Sequence, residues 1–213
     1  GARDTRASDP AEKWIGPGKD TEGSEHIIHV VDRADSRPVW IIVWGGPMDL
    51  AQALWKVRHE RTPEAAAGFV RKLRVYQIHW QDTGSVWIWN NVPELFLIQM
   101  AGATSRGMYA EGPASLGNED WVRDNITQGH GRLGAGYPPA NAFGKLAINV
   151  KEGDAPSFLH LLAHGLNDPE HPEWGGWGGR YQRLDSPRLR FVDGRDLDPS
   201  STDPARQMAW TVG

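Results

Sequence analysis

Val39-Trp40-Ile41-Ile42-Val43-Trp44-Gly45-Gly46-Pro47-Met48-Asp49-Leu50-Ala51-Gln52-Ala53-Leu54 is the stretch that decides the fold. Six apolar, β-branched and aromatic residues stop at two glycines. A helical period follows at once, with Leu50, Leu54 and Val57 at i, i+4 and i+7. A strand apolar throughout reads as central and parallel. Pro47 suits the first helical position, and the helix runs to about His59. In an open α/β sheet, ligands bind where strands end and helices begin. Glycines there allow close backbone approach, and the helix start offers unpaired N–H groups.

The same pattern continues outward. Ser24 caps a helix through about Arg33, and Thr62-Pro63-Glu64 opens another through Lys72. Leu73–His79 reads as a second strand, Val86–Asn91 as a short helix, and Leu95–Gln99 as a third strand. Strands alternating with helices predict an open, mostly parallel α/β sheet with helices on both faces. Asn118 caps a helix over Glu119–Gln128, residues 129–144 form a Gly/Pro loop, and Ala155–Ala163 is a buried helix. After Gly165 the chain reads as loop, including the tandem Trp174-Gly175-Gly176-Trp177-Gly178-Gly179. Residues 1–183 are expected to form the α/β domain, and 184–213 a loop-rich extension or linker. Three strands are few for 213 residues, so the first βα unit is expected to lie outside this chain.

Formal net charge is −4, which gives no basic surface for nucleic acid. No apolar run approaches the roughly 20 residues that span a bilayer, and the polar N-terminus carries no secretory apolar core. The absence of cysteine excludes disulfides, thiolate metal sites and Cys nucleophiles. Tryptophan (11) outnumbers Tyr (4) and Phe (5) together. The excess suits either a large core or flat platforms for a ligand with CH faces, such as a sugar.

In a parallel sheet the strand tips lie side by side. The first ends at Gly45-Gly46-Pro47-Met48-Asp49, the second at His79-Trp80-Gln81-Asp82, and the third at Gln99-Met100. Asp154, at the start of a helix, reads either as an N-cap or as a carboxylate ligand. Asp82 is a turn residue or, directly after a strand, a site carboxylate. His79 ranks first among the histidines for ligand contact. His160 and His164 share a helix face but lack the HExxH pattern, so they read as core or helix-end residues. The Trp174/Trp177 tandem with Arg180 reads equally as an aromatic flap over a sugar and as a tight loop packed on the domain. Neither a phosphate-binding GxxxxGK[ST] nor a GxSxG elbow occurs.

Several ordered segments resemble nucleoside hydrolases. Gly46-Pro47-Met48-Asp49-Leu50-Ala51 is similar to a segment of that family. The set Asp20–Glu25, Trp44-Gly45-Gly46, Ala51–Arg58, Lys72–Tyr76, Glu152–Leu159 and Asp168–Tyr181 resembles the nucleoside-hydrolase-like domain of proteins named as cellulose-binding. The resemblance covers roughly residues 20–183. It implies a nucleoside-hydrolase-like α/β fold and a calcium site at the strand ends, with the Met48 backbone carbonyl and the Asp154 carboxylate as metal ligands. Gly153 stands where nucleoside hydrolases carry a His. The family's N-terminal Asp-rich strand has no counterpart in residues 1–38.

The resulting expectation is a calcium-dependent hydrolase-type domain acting on a glycosidic bond of a carbohydrate or nucleoside-like substrate, with Asp154 and Asp82 catalytic. Glu25, His79, Trp80, Gln81, Asp82, Trp174, Trp177 and Arg180 would bind substrate. The alternative is a non-catalytic module binding a cellulose-like polysaccharide, and a scaffold without ligand is the third reading. Neither nucleic acid nor membrane is an expected partner. Homo-oligomerisation, or association with a separate N-terminal segment, is compatible with the pattern. The carbohydrate reading implies an extracellular or periplasmic location.

Overall fold

The computed structural model describes residues 8–100, 119–137, 154–163, 165, 167–184 and 189–193. The elements are α1 (Glu22–Val31), β1 (Val39–Val43), α2 (Met48–Glu60), α3 (Pro63–Lys72), β2 (Leu73–Ile78), α4 (Thr83–Asn91), β3 (Phe96–Met100), α5 (Glu119–Val122), α6 (Gly131–Ala135), α7 (Ala155–Leu159), β4 (Tyr181–Arg183) and β5 (Arg190–Asp193). Arg123–Thr127 continues α5 as a π turn. A 3-10 turn spans Pro172–Trp174.

The sheet order is β1-β2-β3-β5-β4. β1, β2, β3 and β5 are parallel, and β4 runs antiparallel to β5. The sheet is thus α/β and mostly parallel, as the alternation predicts. β1, expected to be central, is an edge strand among the described residues, and four of its five residues are only half-buried. Its apolar character reflects two covered faces, which an edge strand can have as well as a central one. β4 and β5 fall in stretches whose sequence reads as loop. They are three and four residues long, carry Arg at one end each, and give no periodic signal. β5 brings part of the stretch expected as an extension into the sheet.

Side chains alternate across the sheet. One face of β1–β3 (Val39, Ile41, Val43, Leu73, Val75, Leu97) packs on α1–α4. The other (Tyr76, Ile78, Phe96, Ile98, Met100) packs with Trp40, Tyr181 and Phe191. Helix ends follow local chemistry. Thr21, rather than Ser24, caps α1, and Ser24 completes the capping box from the third helical position. Thr62 caps α3, with Pro63 opening it. α4 begins three residues earlier than its apolar pattern suggests, because Asp82 caps it. α7 stops at Leu159, short of the expected Ala163. α6 lies within the expected 129–144 loop.

One buried charge ties the sheet to a helix. The Arg190 side chain on β5 is fully buried, and its guanidinium donates to Val92 O (2.6 Å), Leu95 O (3.0 Å) and Ile88 O (3.3 Å). These carbonyls close the C-terminus of α4 and the turn after it, the negative pole of the helix dipole.

Candidate functional site

The tips of β1 and β2 are clamped together. Gln81 Nε2 donates to Trp44 O (3.1 Å) and to Ile78 O (3.0 Å). His79 N donates to Met100 O at 2.7 Å, which joins the tip of β2 to that of β3. His79 has φ +59°, the left-handed region, and no other described non-glycine residue has a positive φ. That conformation is sparsely populated for a residue with a Cβ and marks a position held by its surroundings.

Asp82 is almost fully buried beneath this surface, at 2% exposure. Its carboxylate accepts backbone N–H bonds from Gly84, Ser85 and Met48, and so serves the starts of both α4 and α2. Burial pushes its carboxyl above the usual carboxylate range, against the pull of those amides. Gly46 and Gly84 press directly on it, and a Cβ at Gly46 would collide with Oδ2. Asp82 therefore joins two helix N-termini beneath the strand-end surface.

Trp44 lies on the same sheet face as Trp40, two pairs of residues further along, and meets α7 there. Its indole Nε1 donates to Ser157 Oγ (2.7 Å), which donates in turn to Asp154 O (2.6 Å). The residue as a whole is 53% exposed. Asp154 occupies the cap position of α7 with near-helical backbone and without a side-chain cap bond. Its charge acts on His79 and favours the imidazolium, but burial outweighs it and holds His79 below the usual imidazole range. Trp80, also partly exposed, packs edge-on against Trp89 of α4 with centroids 5.2 Å apart. His79, Trp80, Gln81, Asp82 and Asp154 are thus brought to one end of the sheet. Trp44 and Ser157 join them there. Sequence reasoning did not assign those two, although an indole as the last residue of an apolar run before two glycines is a usable signal.

The remaining expected residues lie elsewhere. Glu25 is drawn to Lys56 Nζ (2.5 Å), which also binds Asp20 (2.8 Å), in a surface network between α1 and α2. The Trp174/Trp177 loop is pinned at Gly178, whose carbonyl accepts from the Tyr76 and Tyr181 hydroxyls. A Cβ at Gly178 would strike Pro156 O and His160. Both indoles nevertheless remain more than half exposed. Trp174 stacks on His171, with centroids 4.1 Å apart and planes 6° from parallel. His171 follows Glu170, which pairs with Arg74 near the start of β2. Trp174 thereby belongs to the opposite end of the sheet from Trp44. Arg180, exposed, immediately precedes β4.

For calcium, the donors expected from the resemblance are the Met48 carbonyl and Asp154. Met48 is the first residue of α2, so its carbonyl points along the helix toward the next turn, away from the strand tips. Its N–H end, the positive pole of the helix, is what faces Asp82. Among the described residues no cluster of three or more His, Asp or Glu suits a metal ion. The described donor set does not fit calcium.

His160 is buried beside Trp40 and Tyr76, with Nε2 3.1 Å from Pro169 O. It is a core residue, as read from the sequence. His164 lies outside the described residues. Burial lowers the His160 pKa, against weaker opposite effects of Asp168 and Glu170. The unfolded chain therefore binds this proton more readily than the folded one. The stability His160 contributes is present above its ordinary pKa, about 6.5, and is lost as pH falls toward its lowered folded value. Melting temperature should fall between pH 7 and 5, and His160→Gln should flatten that fall. An equal fall in parent and variant would contradict this assignment.

The geometry agrees with the comparisons to known proteins. A solved structure of a nucleoside hydrolase-related hypothetical protein from Saccharophagus degradans, associated with carbohydrate metabolism, aligns with a TM-score of 0.66 at 34% identity. The alignment covers 94% of this chain and 50% of that one, so the chain spans half the length of that relative. The search of curated proteins found no match. Residues 6–181 match the family model described as "Cellulose-binding Sde182, nucleoside hydrolase-like domain". With its mostly parallel sheet and the match over most of its length, the chain belongs to that family.

Proposed function

We propose that this chain is a carbohydrate-binding domain that receives a sugar at the C-terminal ends of β1 and β2. The observation that carries this reading is Trp44. Its indole N–H is fixed on Ser157 while the residue as a whole is 53% exposed. A rigid indole open to water carries a cost in apolar hydration that the CH face of a pyranose relieves on contact. Gln81, His79 and Asp154 lie around it and offer hydrogen-bonding groups to ring hydroxyls. Carbohydrate also agrees with the cellulose named by the family and with the metabolism attached to the solved relative.

The test is retention on soluble and insoluble cellulose, with titration of cello-oligosaccharides. Trp44→Ala should weaken binding at least about tenfold, roughly 1.4 kcal/mol, while circular dichroism shows an unchanged fold. A parent chain that binds no glycan, or a Trp44→Ala chain that binds as the parent does, overturns the reading.

A hydrolytic reading has one observation of its own. Burial holds His79 below the usual imidazole range against the pull of Asp154, so a proton acceptor and a carboxylate lie within reach of each other at the strand tips. Asp154 is the carboxylate assigned this role, because it acts on His79 while Asp82 is buried under three amides. A screen of glycosides and nucleosides, run with and without calcium, separates the two readings. Turnover abolished by Asp154→Asn supports hydrolysis. The absence of turnover overturns it and leaves binding untouched.

A further inference from the structure

A second concavity opens at the other end of the sheet. It has a volume of about 460 Å³, within the roughly 300–1,000 Å³ of small-molecule sites. Its walls come from where the parallel strands begin: Arg74 on β2, Phe96 on β3 and Phe191 on β5, with Arg183 at the end of antiparallel β4. None of the strand-tip residues described above lines it. His171 and Glu173 are among its lining residues, and Trp174, 57% exposed and itself outside the lining, stacks flat on His171.

The charges indicate the ligand class. Three arginines (Arg71, Arg74, Arg183) and three glutamates (Glu94, Glu170, Glu173) line the cavity. Arg74 grips both oxygens of Glu170, at 3.0 and 2.7 Å, and Glu173 takes His171 Nδ1 at 3.1 Å. A lining of balanced sign does not concentrate an ion of either sign. Arg74 is spent on Glu170 and on the Arg71 and Leu73 carbonyls, but it fixes the Glu170 carboxylate, and the exposed Arg183 adds a guanidinium; both groups make strong charge-assisted hydrogen bonds to hydroxyls. Leu189, 37% exposed, gives the open apolar wall, backed by the nearly buried Phe96 and Phe191, tilted together with centroids 5.0 Å apart. Hydroxyl partners, an apolar wall and an open indole stacked on a lining residue together match a neutral pyranose.

We infer that the cavity bounded by Arg74, Arg183 and Glu170, with the His171–Trp174 stack beside it, is a second subsite for a neutral pyranose, at the opposite end of the sheet from Trp44. The choice of carbohydrate rests in part on the function proposed above, whereas the place and the neutrality rest on this cavity alone.

The experiment titrates the full chain with cellobiose, glucuronate and glucose 6-phosphate, and follows binding by calorimetry and tryptophan fluorescence. Variants are Trp174→Ala, Arg183→Met and Trp44→Ala, each checked for an unchanged melting temperature. Cellobiose should bind at two sites, one weakened at least fivefold by Trp174→Ala and by Arg183→Met, the other by Trp44→Ala. If Trp174→Ala and Arg183→Met leave cellobiose binding unchanged, the subsite is overturned, and the strand-tip reading stands or falls with Trp44→Ala. If only Trp44→Ala is silent, the strand-tip reading falls and this subsite stands. Tighter binding of glucuronate or glucose 6-phosphate than of cellobiose, sensitive to Arg183→Met, overturns the assignment to a neutral sugar.

Discussion

Arg190→Met should destabilise the fold by about 3 kcal/mol, a large share of the 5–15 kcal/mol that holds a typical domain together. Met fills much of the volume but cannot donate. The carbonyls of Val92, Leu95 and Ile88 then lose a charged donor at a buried helix end. Ile88 O and Val92 O keep backbone donors from Val92 and Leu95, which limits the loss. Arg190→Lys retains the charge, but one ammonium cannot span carbonyls that the guanidinium reaches with two nitrogens, so about half the loss should remain. Urea unfolding measures both. A loss below 1 kcal/mol in Arg190→Met would show that the arginine does not hold β5 to α4.

Gly46→Ala and Asp82→Ala should each cost about 2–4 kcal/mol, and their costs should not add. Asp82→Ala strips an acceptor from three backbone N–H groups at the starts of α2 and α4, which leaves buried donors unpaired. Gly46→Ala does similar damage by another route. Gly46 does not have a positive φ, so alanine fits its backbone, but the added Cβ drives Oδ2 of Asp82 from its place. Once Asp82 is alanine that obstacle is gone, and Gly46→Ala on the Asp82→Ala background should cost under about 1 kcal/mol. A double-mutant cycle in urea reads the coupling directly. Simple additivity would mean that the glycine is needed for some reason other than the carboxylate.

The parts of the fold legible in the sequence are those with a local cause. Val39–Val43, Leu73–Ile78 and Phe96–Met100 announce themselves as apolar runs, and Thr62-Pro63 marks a helix start by its own chemistry. The strand-tip location of the site follows from the order of these elements. His79 and Asp154 were placed there by the sequence reading, and the structure brings them within electrostatic reach of each other. Arg190–Asp193 was not legible. A four-residue strand opening on a charged residue looks like surface until the carbonyls that neutralise it, 95 or more residues earlier, are in place. The sequence places Trp174 with Trp80 in one substrate-binding set. Only the pairing of Glu170 with Arg74 and the stack on His171 reveal that it faces the other end of the sheet.

By itself, the sequence determined the class of fold, the succession of its first three strands along the chain and the end of the sheet where a ligand is expected. These depend on hydrophobic period, capping residues and chain order, which act over a few residues or follow from connectivity. The tertiary structure decided which of the marked side chains face that end. It turned Glu25 to Lys56 and stacked Trp174 on His171, and it exposed Trp44 over Ser157. It also turned Asp82 from an expected catalyst into the acceptor that joins two helix starts. Burial and hydrogen-bond partnership are set by residues remote in the chain, so no local pattern carries them.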